Sequence, residues 1–251
     1  MTANAIDHQA VVKCIEIGDG NITSIFEMMP TQVATMCHKI HNDPDFAGKE
    51  MSIVGISQGG LIARSVVEMC EGLNIHTLFT FGSPHMGVTV YQKCRKWWCP
   101  IANHILGYLA EWAIVQDFCA PADYYRTWWN FARFHDKNIF LQDVNNENDT
   151  KNPVYKSRLS SIKNFGLWMW MEDNTVVPKE SEWFGFWDDK RDVILLKHQQ
   201  DYIDDTIGLK TLYEAGKMYF YSGFGDHMHL EEYMIEDLLA PLLLNQTPVA
   251  S

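Results

Sequence analysis

The feature that most constrains the fold is a serine between two glycines, placed between an apolar run and a helix-like segment. The pentapeptide Gly55-Ile56-Ser57-Gln58-Gly59 follows apolar residues 51–54 and precedes residues 60–64. A strand, a sharp turn with a serine and a helix together form a nucleophile elbow. The two glycines are expected to avoid collisions with neighbouring backbone. The pattern predicts Ser57 at a helix N-terminus, which favours negative charge; a plain glycine-rich turn is the alternative.

Strand-like and helix-like segments alternate around this unit. Strands are predicted at residues 11–17, 52–56, 75–81, 165–171, 192–196 and 217–221, and helices at 30–41, 60–70 and 230–244. Such alternation indicates a mostly parallel sheet covered by helices on both faces. The sequence shows no internal repeat, low-complexity tract or linker, so we expect one α/β domain over residues 1–251.

An aromatic-rich stretch interrupts the alternation at about residues 88–157. It is predicted to be an insertion over the strand ends, with a helix at residues 101–118. Most of its aromatic side chains are expected to pack the insertion onto the sheet. A few are expected to face a pocket, since ligand sites are lined mainly by apolar and aromatic groups.

A serine nucleophile needs a base and a carboxylate that orients the base. His227 is the predicted base, because it lies in a glycine-rich loop between the last predicted strand and the terminal helix. Asp173 is the predicted acid, since it follows a strand directly and active groups cluster at strand carboxyl ends. Glu172 and Asp226 are alternative acids. The order serine, acid, histidine is that of α/β hydrolases.

Four stretches resemble the palmitoyl-protein thioesterases, lysosomal α/β hydrolases that remove fatty acyl groups from cysteine. They cover residues 55–64, 173–186, 208–216 and 225–230. The run Glu182-Trp183-Phe184-Gly185-Phe186, beside the predicted acid, is a much more particular match than the serine pentapeptide. The resemblance extends from about Cys14 to the C-terminus and implies an α/β-hydrolase fold with Ser57, Asp173 and His227 as the catalytic triad.

The activity that the resemblance implies is hydrolysis of long-chain fatty acyl thioesters, through an acyl-serine intermediate and without a cofactor. The implied partners are S-acylated proteins or peptides and fatty acyl thioesters. An esterase or lipase that acts on lipid oxygen esters has the same triad and is the alternative. His85 and Trp183 are candidates for substrate contact, although His85 is more readily explained as packing behind the elbow.

The resemblance also implies two disulfides, Cys37–Cys70 and Cys94–Cys99, and a lysosomal or secreted location. Cys14 and Cys119 have no obvious partners. Asn148, in a polar run, is the best candidate for N-glycosylation among the sequons.

One departure concerns the oxyanion hole, whose first backbone N–H is expected from Gln58. The resemblance implies a further strand before Val11, with a His-Gly loop that supplies the second N–H. Residues 1–10 contain no such strand and no signal peptide. We therefore expect an incomplete hole, and either that Met1 is not the natural start or that this region has diverged; a non-catalytic relative is a further alternative.

The composition argues against several classes of partner. The formal net charge is −12, from 32 acidic and 20 basic residues, which argues against nucleic acid and anionic membranes as partners. No apolar run reaches the length of about 18 residues that a membrane span needs. Without a Cys-x-x-Cys pattern or a histidine cluster, no metal is expected.

Overall fold

The computed structural model describes residues 11–19, 21–89 and 119–244. The strands of these parts are β1 (Glu50–Ile56), β2 (Asn74–Phe81), β3 (Asn164–Trp170), β4 (Phe186–Trp187), β5 (Val193–Ile194) and β6 (Met218–Gly223). The α-helices are α1 (Asn21–Phe26), α2 (Met29–Asn42), α3 (Gln58–Met69), α4 (Ala120–Asp123), α5 (Phe131–Lys137), α6 (Leu141–Val144), α7 (Pro153–Ser161), α8 (Gln200–Ile203), α9 (Leu209–Glu214) and α10 (Ala240–Leu243). Short 3₁₀ helices cover Lys179–Trp183 and Leu196–His198, and a π-helix covers Met234–Leu239.

Four parallel strands form the central sheet, in the order β1-β2-β3-β6. The register aligns Ile56, Phe81, Trp168 and Tyr221 in one row across the strands. All positions of β3 are buried, and so are all but the first of β2. Continuous apolar burial is expected where a parallel sheet has both faces covered. The strands therefore end at one shared edge, where the loops that follow them meet.

Two apolar clusters fill the two faces of the sheet. One includes Leu61 and Val66 of α3 together with Leu78 and Leu167 of the sheet. The other packs Phe79, Phe81, Trp168 and Trp170 against the C-terminal helical segment, which contributes Met234, Leu239 and Leu242. Leu78 and Phe79 belong to different clusters because successive side chains of a strand point to opposite faces. The architecture is that of an α/β-hydrolase fold, as expected from the sequence.

Three predicted elements differ from the structure. Residues 11–17 form no strand: they have no regular structure and pair with no described strand, so β1 is an edge of the sheet in the part of the chain that the structure describes. Within residues 192–196, only Val193–Ile194 is a strand. It pairs antiparallel with β4 in a separate ribbon, outside the central sheet. The predicted terminal helix is a π-helix that continues as α10.

A disulfide joins Cys37 of α2 to Cys70, the residue that follows α3, with the Cα atoms 5.8 Å apart. This distance lies within the usual range for a disulfide. Cys14 and Cys119 are free. The predicted pair Cys94–Cys99 and the predicted helix at 101–118 lie outside the described residues.

None of the helices within residues 11–19, 21–89 and 119–244 combines the length and apolar character that crossing a membrane requires.

Candidate active site

The turn between β1 and α3 holds Ser57 in an unusual backbone conformation. Its φ is 55° and its ψ is −128°, a region that residues with a side chain rarely occupy. Two hydrogen bonds fix the turn. The Ser57 N–H donates to the Phe81 carbonyl over 2.8 Å, and the Gly60 N–H donates to the Ser57 carbonyl over 3.0 Å. Such strain is common at functional sites, where the surrounding structure maintains it.

A side chain would collide with its neighbours at Gly55 and at Gly60, but not at Gly59. A Cβ on Gly55 would lie 2.4 Å from the Gly59 carbonyl oxygen, and one on Gly60 would lie 1.7 Å from Ser83 Oγ. A Cβ on Gly59 would meet nothing within 4 Å. The expected collision at Gly59 is therefore wrong: this residue lies in the first turn of α3 and points into open space.

His227 contacts both of its predicted partners. Its Nε2 lies 2.8 Å from Ser57 Oγ, and its Nδ1 lies 2.5 Å from Asp173 Oδ2. The imidazole edge also packs against Trp170, with ring centroids 5.7 Å apart. The Ser57 hydroxyl makes no hydrogen bond to the N-terminus of α3. It is therefore oriented by the imidazole rather than by its own helix.

The structure distinguishes between the three candidate acids. Asp173 lies on the imidazole and is buried. The Glu172 side chain is exposed. A carboxylate oxygen of Asp226 accepts from the backbone N–H of His227 over 2.9 Å, so it contacts the main chain of the loop. Of the three candidates, Asp173 alone has a hydrogen bond to the ring.

Asp173 is held in its ionised form by the donors around it. Its Oδ1 accepts from the backbone N–H groups of Thr175, over 2.6 Å, and Val176, over 3.0 Å. Burial by itself would raise the pKa of Asp173, but hydrogen bonds from His227, Glu182 and Thr175 outweigh it and lower the pKa. A carboxylate that remains charged stabilises the imidazolium that forms when the histidine accepts a proton.

The backbone N–H of Gln58 lies in the first turn of α3, where helical N–H groups have no partner within the helix. Within the described parts of the chain, no acceptor contacts it. The Gln58 side chain is fixed by hydrogen bonds to the Ser24 carbonyl, 2.9 Å, and from the Tyr124 hydroxyl, 3.1 Å. The sequence did not indicate this contact of Tyr124, which comes from the aromatic-rich stretch.

His85 and Trp183, the candidates for substrate contact, are packing residues in this structure. The His85 ring is fully buried, stacks on Phe184 at 4.4 Å between centroids, and shares a hydrogen bond with Thr80 Oγ1 over 3.0 Å. Burial, and secondarily the charge of Arg64, keeps the pKa of His85 well below its ordinary value. Trp183 donates from its indole N–H to the Leu167 carbonyl of β3. Both residues contact core elements of the fold.

A buried polar network lies behind the elbow, and sequence analysis gave no sign of it. Arg64 of α3 is fully buried and lies 3.5 Å from Glu68, and it donates to Asn145 Oδ1 over 2.7 Å. The Asn145 amide donates to Glu147, which pairs with Arg126 over 2.7 Å. The network ties α3 to the loop after α6. Spacing along the chain could not reveal it because Arg64 and Asn145 are 81 residues apart.

Asn148, the predicted glycosylation site, is half-buried, and its amide lies 3.4 Å from an Asp143 oxygen. Among the described residues, no group of three or more His, Cys, Asp or Glu side chains could hold a metal ion. The arrangement of serine, imidazole and carboxylate can transfer an acyl group through attack by the serine oxygen, with the imidazole accepting and returning the proton.

Comparison with known proteins agrees with the geometry. The family model described as "Palmitoyl protein thioesterase" matches residues 1–227. Palmitoyl-protein thioesterase 3 of Dictyostelium discoideum is 30% identical over 235 residues, which cover 93% of this chain and 79% of that protein. Palmitoyl-protein thioesterase 1 of Caenorhabditis elegans is 34% identical over 208 residues, covering 81% and 69%.

A more distant relative is the lysosomal thioesterase PPT2 of Homo sapiens. It is 25% identical over 174 residues, which cover 68% of this chain and 57% of that protein. With a family match over most of its length and relatives that carry the same family name, the chain belongs to the palmitoyl-protein thioesterases, a family of hydrolases.

Proposed function

We propose that this protein hydrolyses fatty acyl thioesters of cysteine in proteins or peptides, with Ser57 as the nucleophile, His227 as the base and Asp173 as the orienting acid. The observation that carries the proposal is the pair of hydrogen bonds on His227, at 2.8 Å from Ser57 Oγ and 2.5 Å from Asp173. The triad supports acyl transfer, and the family supports the thioester.

The acylation step follows from the positions of these atoms. Ser57 Oγ attacks the thioester carbonyl carbon while His227 Nε2 takes the hydroxyl proton. Negative charge develops on the carbonyl oxygen, which the free N–H of Gln58 can stabilise. The carbon–sulfur bond then breaks. The departing thiolate receives the proton from the imidazolium, and the acyl group remains on Ser57.

Deacylation reverses the roles of the same groups. His227 accepts a proton from water, the hydroxide attacks the acyl carbonyl, and the bond to Ser57 Oγ breaks. The imidazolium returns the proton to that oxygen, which releases the fatty acid and restores the free enzyme. Asp173 remains ionised throughout, because the three N–H donors around it stabilise its charge.

A lysosomal location is part of the proposal. It rests on relatives whose names include lysosomal thioesterases, and on the Cys37–Cys70 disulfide, which suits an oxidising route of synthesis.

Active-site labelling tests the nucleophile. A fluorophosphonate is expected to label the protein on Ser57, and Ser57→Ala is expected to abolish labelling and to lower turnover of an S-palmitoyl peptide by on the order of 10⁴-fold or more. Ser161→Ala, an exposed serine of α7, is the matched control and should label normally. Circular dichroism should show that both variants are folded.

Substrate class is tested with a second peptide that carries the palmitoyl group on serine oxygen. We expect faster turnover of the thioester.

Two outcomes would contradict the proposal. Labelling that persists in Ser57→Ala would exclude this residue as the nucleophile. Faster turnover of the oxygen ester would identify the enzyme as an esterase with the same triad.

A further inference from the structure

We propose that Glu182 is a positioning residue for the triad: as a neutral carboxylic acid, it donates a hydrogen bond to Asp173 and ties that carboxylate to the end of β3. The inference rests on the function proposed above. It also gives a physical role to the segment Ser181–Phe186, which contains the particular run Glu182–Phe186 and to which the reaction itself assigns no role.

The location of Glu182 shows what its carboxyl group can contact. It lies on the 3₁₀ helix Lys179–Trp183 and is 1% exposed. Its Oε2 accepts from the Trp170 backbone N–H over 3.1 Å. Trp170 ends β3, and its carbonyl accepts from the Asp173 N–H over 3.1 Å. The strand end, the acid and Glu182 therefore form one connected group.

The carboxyl groups of Glu182 and Asp173 are close enough to interact, and Glu182 Oε1 is buried with no other donor or acceptor on it, so this oxygen is placed for a hydrogen bond between the two side chains. Two ionised carboxylates are both acceptors, so this bond requires a proton on one of them. Asp173 already accepts from His227, Thr175 and Val176, whereas the Trp170 N–H is the one donor that contacts Glu182 among the described residues. The proton therefore resides on Glu182.

The charges around Glu182 agree with this assignment. Burial raises the pKa of Glu182, the hydrogen bond and the charge of Asp173 raise it further, and Glu180 adds to the effect, so the pKa lies well above its ordinary value. The side chains that act on Asp173 are those of His227 and Glu182. Lys179, which directly precedes Glu180 in the chain, pairs with Glu180 at 3.4 Å. No cation among the described residues stabilises an ionised Glu182.

The rest of the run fixes Glu182 in place. The Ser181 hydroxyl donates to the Gly87 carbonyl over 2.7 Å and accepts from the Met86 N–H over 3.0 Å. Phe184 has a positive φ of 61° and stacks on the buried His85. These contacts anchor the run to the loop after β2 and so fix the position of Glu182 beside Asp173.

Two substitutions of Glu182 distinguish a neutral side chain that donates to Asp173 from an ionised side chain that lies beside it. Glu182→Gln keeps the shape of the group: its amide oxygen can accept from Trp170 N–H and its NH₂ can donate to Asp173. Glu182→Met has a similar length and removes both bonds. Glu180→Gln, on the same 3₁₀ helix, is the matched control because it removes a charge without touching the triad.

The measurement is the pH dependence of the rate of fluorophosphonate labelling of Ser57 in the full chain, with kcat and KM for an S-palmitoyl peptide beside it. Glu182→Gln and Glu180→Gln should keep the wild-type profile. In Glu182→Met, Asp173 loses a donor and stabilises the imidazolium more strongly. The acidic limb, which is the low-pH side of the profile of labelling rate against pH, should therefore move to higher pH by about half a pH unit to one pH unit. The kcat value should fall about 10- to 100-fold at unchanged KM.

A purely structural role for Glu182 would lower the amount of folded protein without moving the acidic limb, and that result overturns the proposal. The proposal is also overturned if the acidic limb moves to lower pH in Glu182→Gln. Such a shift would mean that the substitution removes a negative charge, and therefore that Glu182 is ionised in the wild-type protein. Should Glu182→Met not fold, the Glu182→Gln profile still decides between the two states. Absence of labelling in the wild-type protein would instead refute the proposed function.

Discussion

At the scale of single residues, the glycines on either side of Ser57 have different surroundings. Gly55 lies in β1 beneath the first turn of α3, so that a Cβ there would lie 2.4 Å from a backbone oxygen. Gly59 faces open space. Identical residue types in one motif thus serve different purposes: of the two glycines that flank Ser57, only Gly55 is required by the close packing of α3.

This difference predicts unequal effects of alanine at the two positions. Gly55→Ala should lower the free energy of unfolding by about 1–3 kcal/mol, because backbone must move to admit the methyl group. Gly59→Ala should be neutral or stabilise by up to about 1 kcal/mol, since alanine is a better helix former than glycine. Urea unfolding measures both. Equal losses at the two positions would contradict the steric explanation.

The candidate site shows which residues a sequence can indicate and which it cannot. Ser57, Asp173 and His227 each follow a strand, and parallel strands end at one edge, so their meeting could be expected. The proton on Glu182 and the pairing of Arg64 with Asn145 depend on burial and on contacts between distant segments. Neither property has a local pattern. His85 differs from these, because the sequence favoured packing behind the elbow over substrate contact for it, and its ring is buried.

At the scale of elements, the buried strands were the most predictable. β2 and β3 are rich in apolar residues and buried almost throughout because both faces are covered, and their positions follow from composition. Residues 11–17 and 192–196 have similar composition but not the same structure. A strand forms only where another backbone lies beside it, and which segments come together is decided by the whole chain.

The disulfide between α2 and α3 gives a second prediction. It closes a loop with a sequence separation of 33 residues, and such a link restricts the unfolded chain. The double variant Cys37→Ala/Cys70→Ala should lower the free energy of unfolding by about 2–4 kcal/mol in urea. Cys14→Ala, at an exposed free cysteine, is the control. A loss no larger than that of the control would show that the link does not stabilise the fold.

At the scale of the whole molecule, buried acids determine how stability depends on pH. Burial, opposed in part by Arg64, raises the pKa of Glu68 to about 8. Burial and the charge of Glu147 raise that of Asp201 to about 7. In the unfolded chain both groups ionise at ordinary carboxyl values, near pH 4. Between about pH 4 and pH 8 these two groups therefore bind more protons in the folded protein than in the unfolded chain, so their contribution to stability falls as pH rises.

We accordingly predict that the thermal unfolding midpoint is higher at pH 5 than at pH 8. Glu68→Gln, which cannot ionise, should reduce this difference, whereas Glu172→Gln, at an exposed acid, should leave it unchanged. Differential scanning calorimetry across this range provides the test. A midpoint that rises from pH 5 to pH 8 would show that Glu68 is ionised in the folded protein. The predicted direction suits an acidic compartment.

The spread of the triad over the sheet has a consequence for how the protein is made. Ser57 follows β1 and His227 follows β6, at the two ends of the strand order, and 170 residues separate them in the chain. Contacts of such long range form late in folding, after the intervening strands have docked. On the ribosome Ser57 emerges long before His227. Under the proposed mechanism, a nascent chain is therefore inert towards acyl groups until its sheet closes, and the onset of hydrolysis marks the completion of folding.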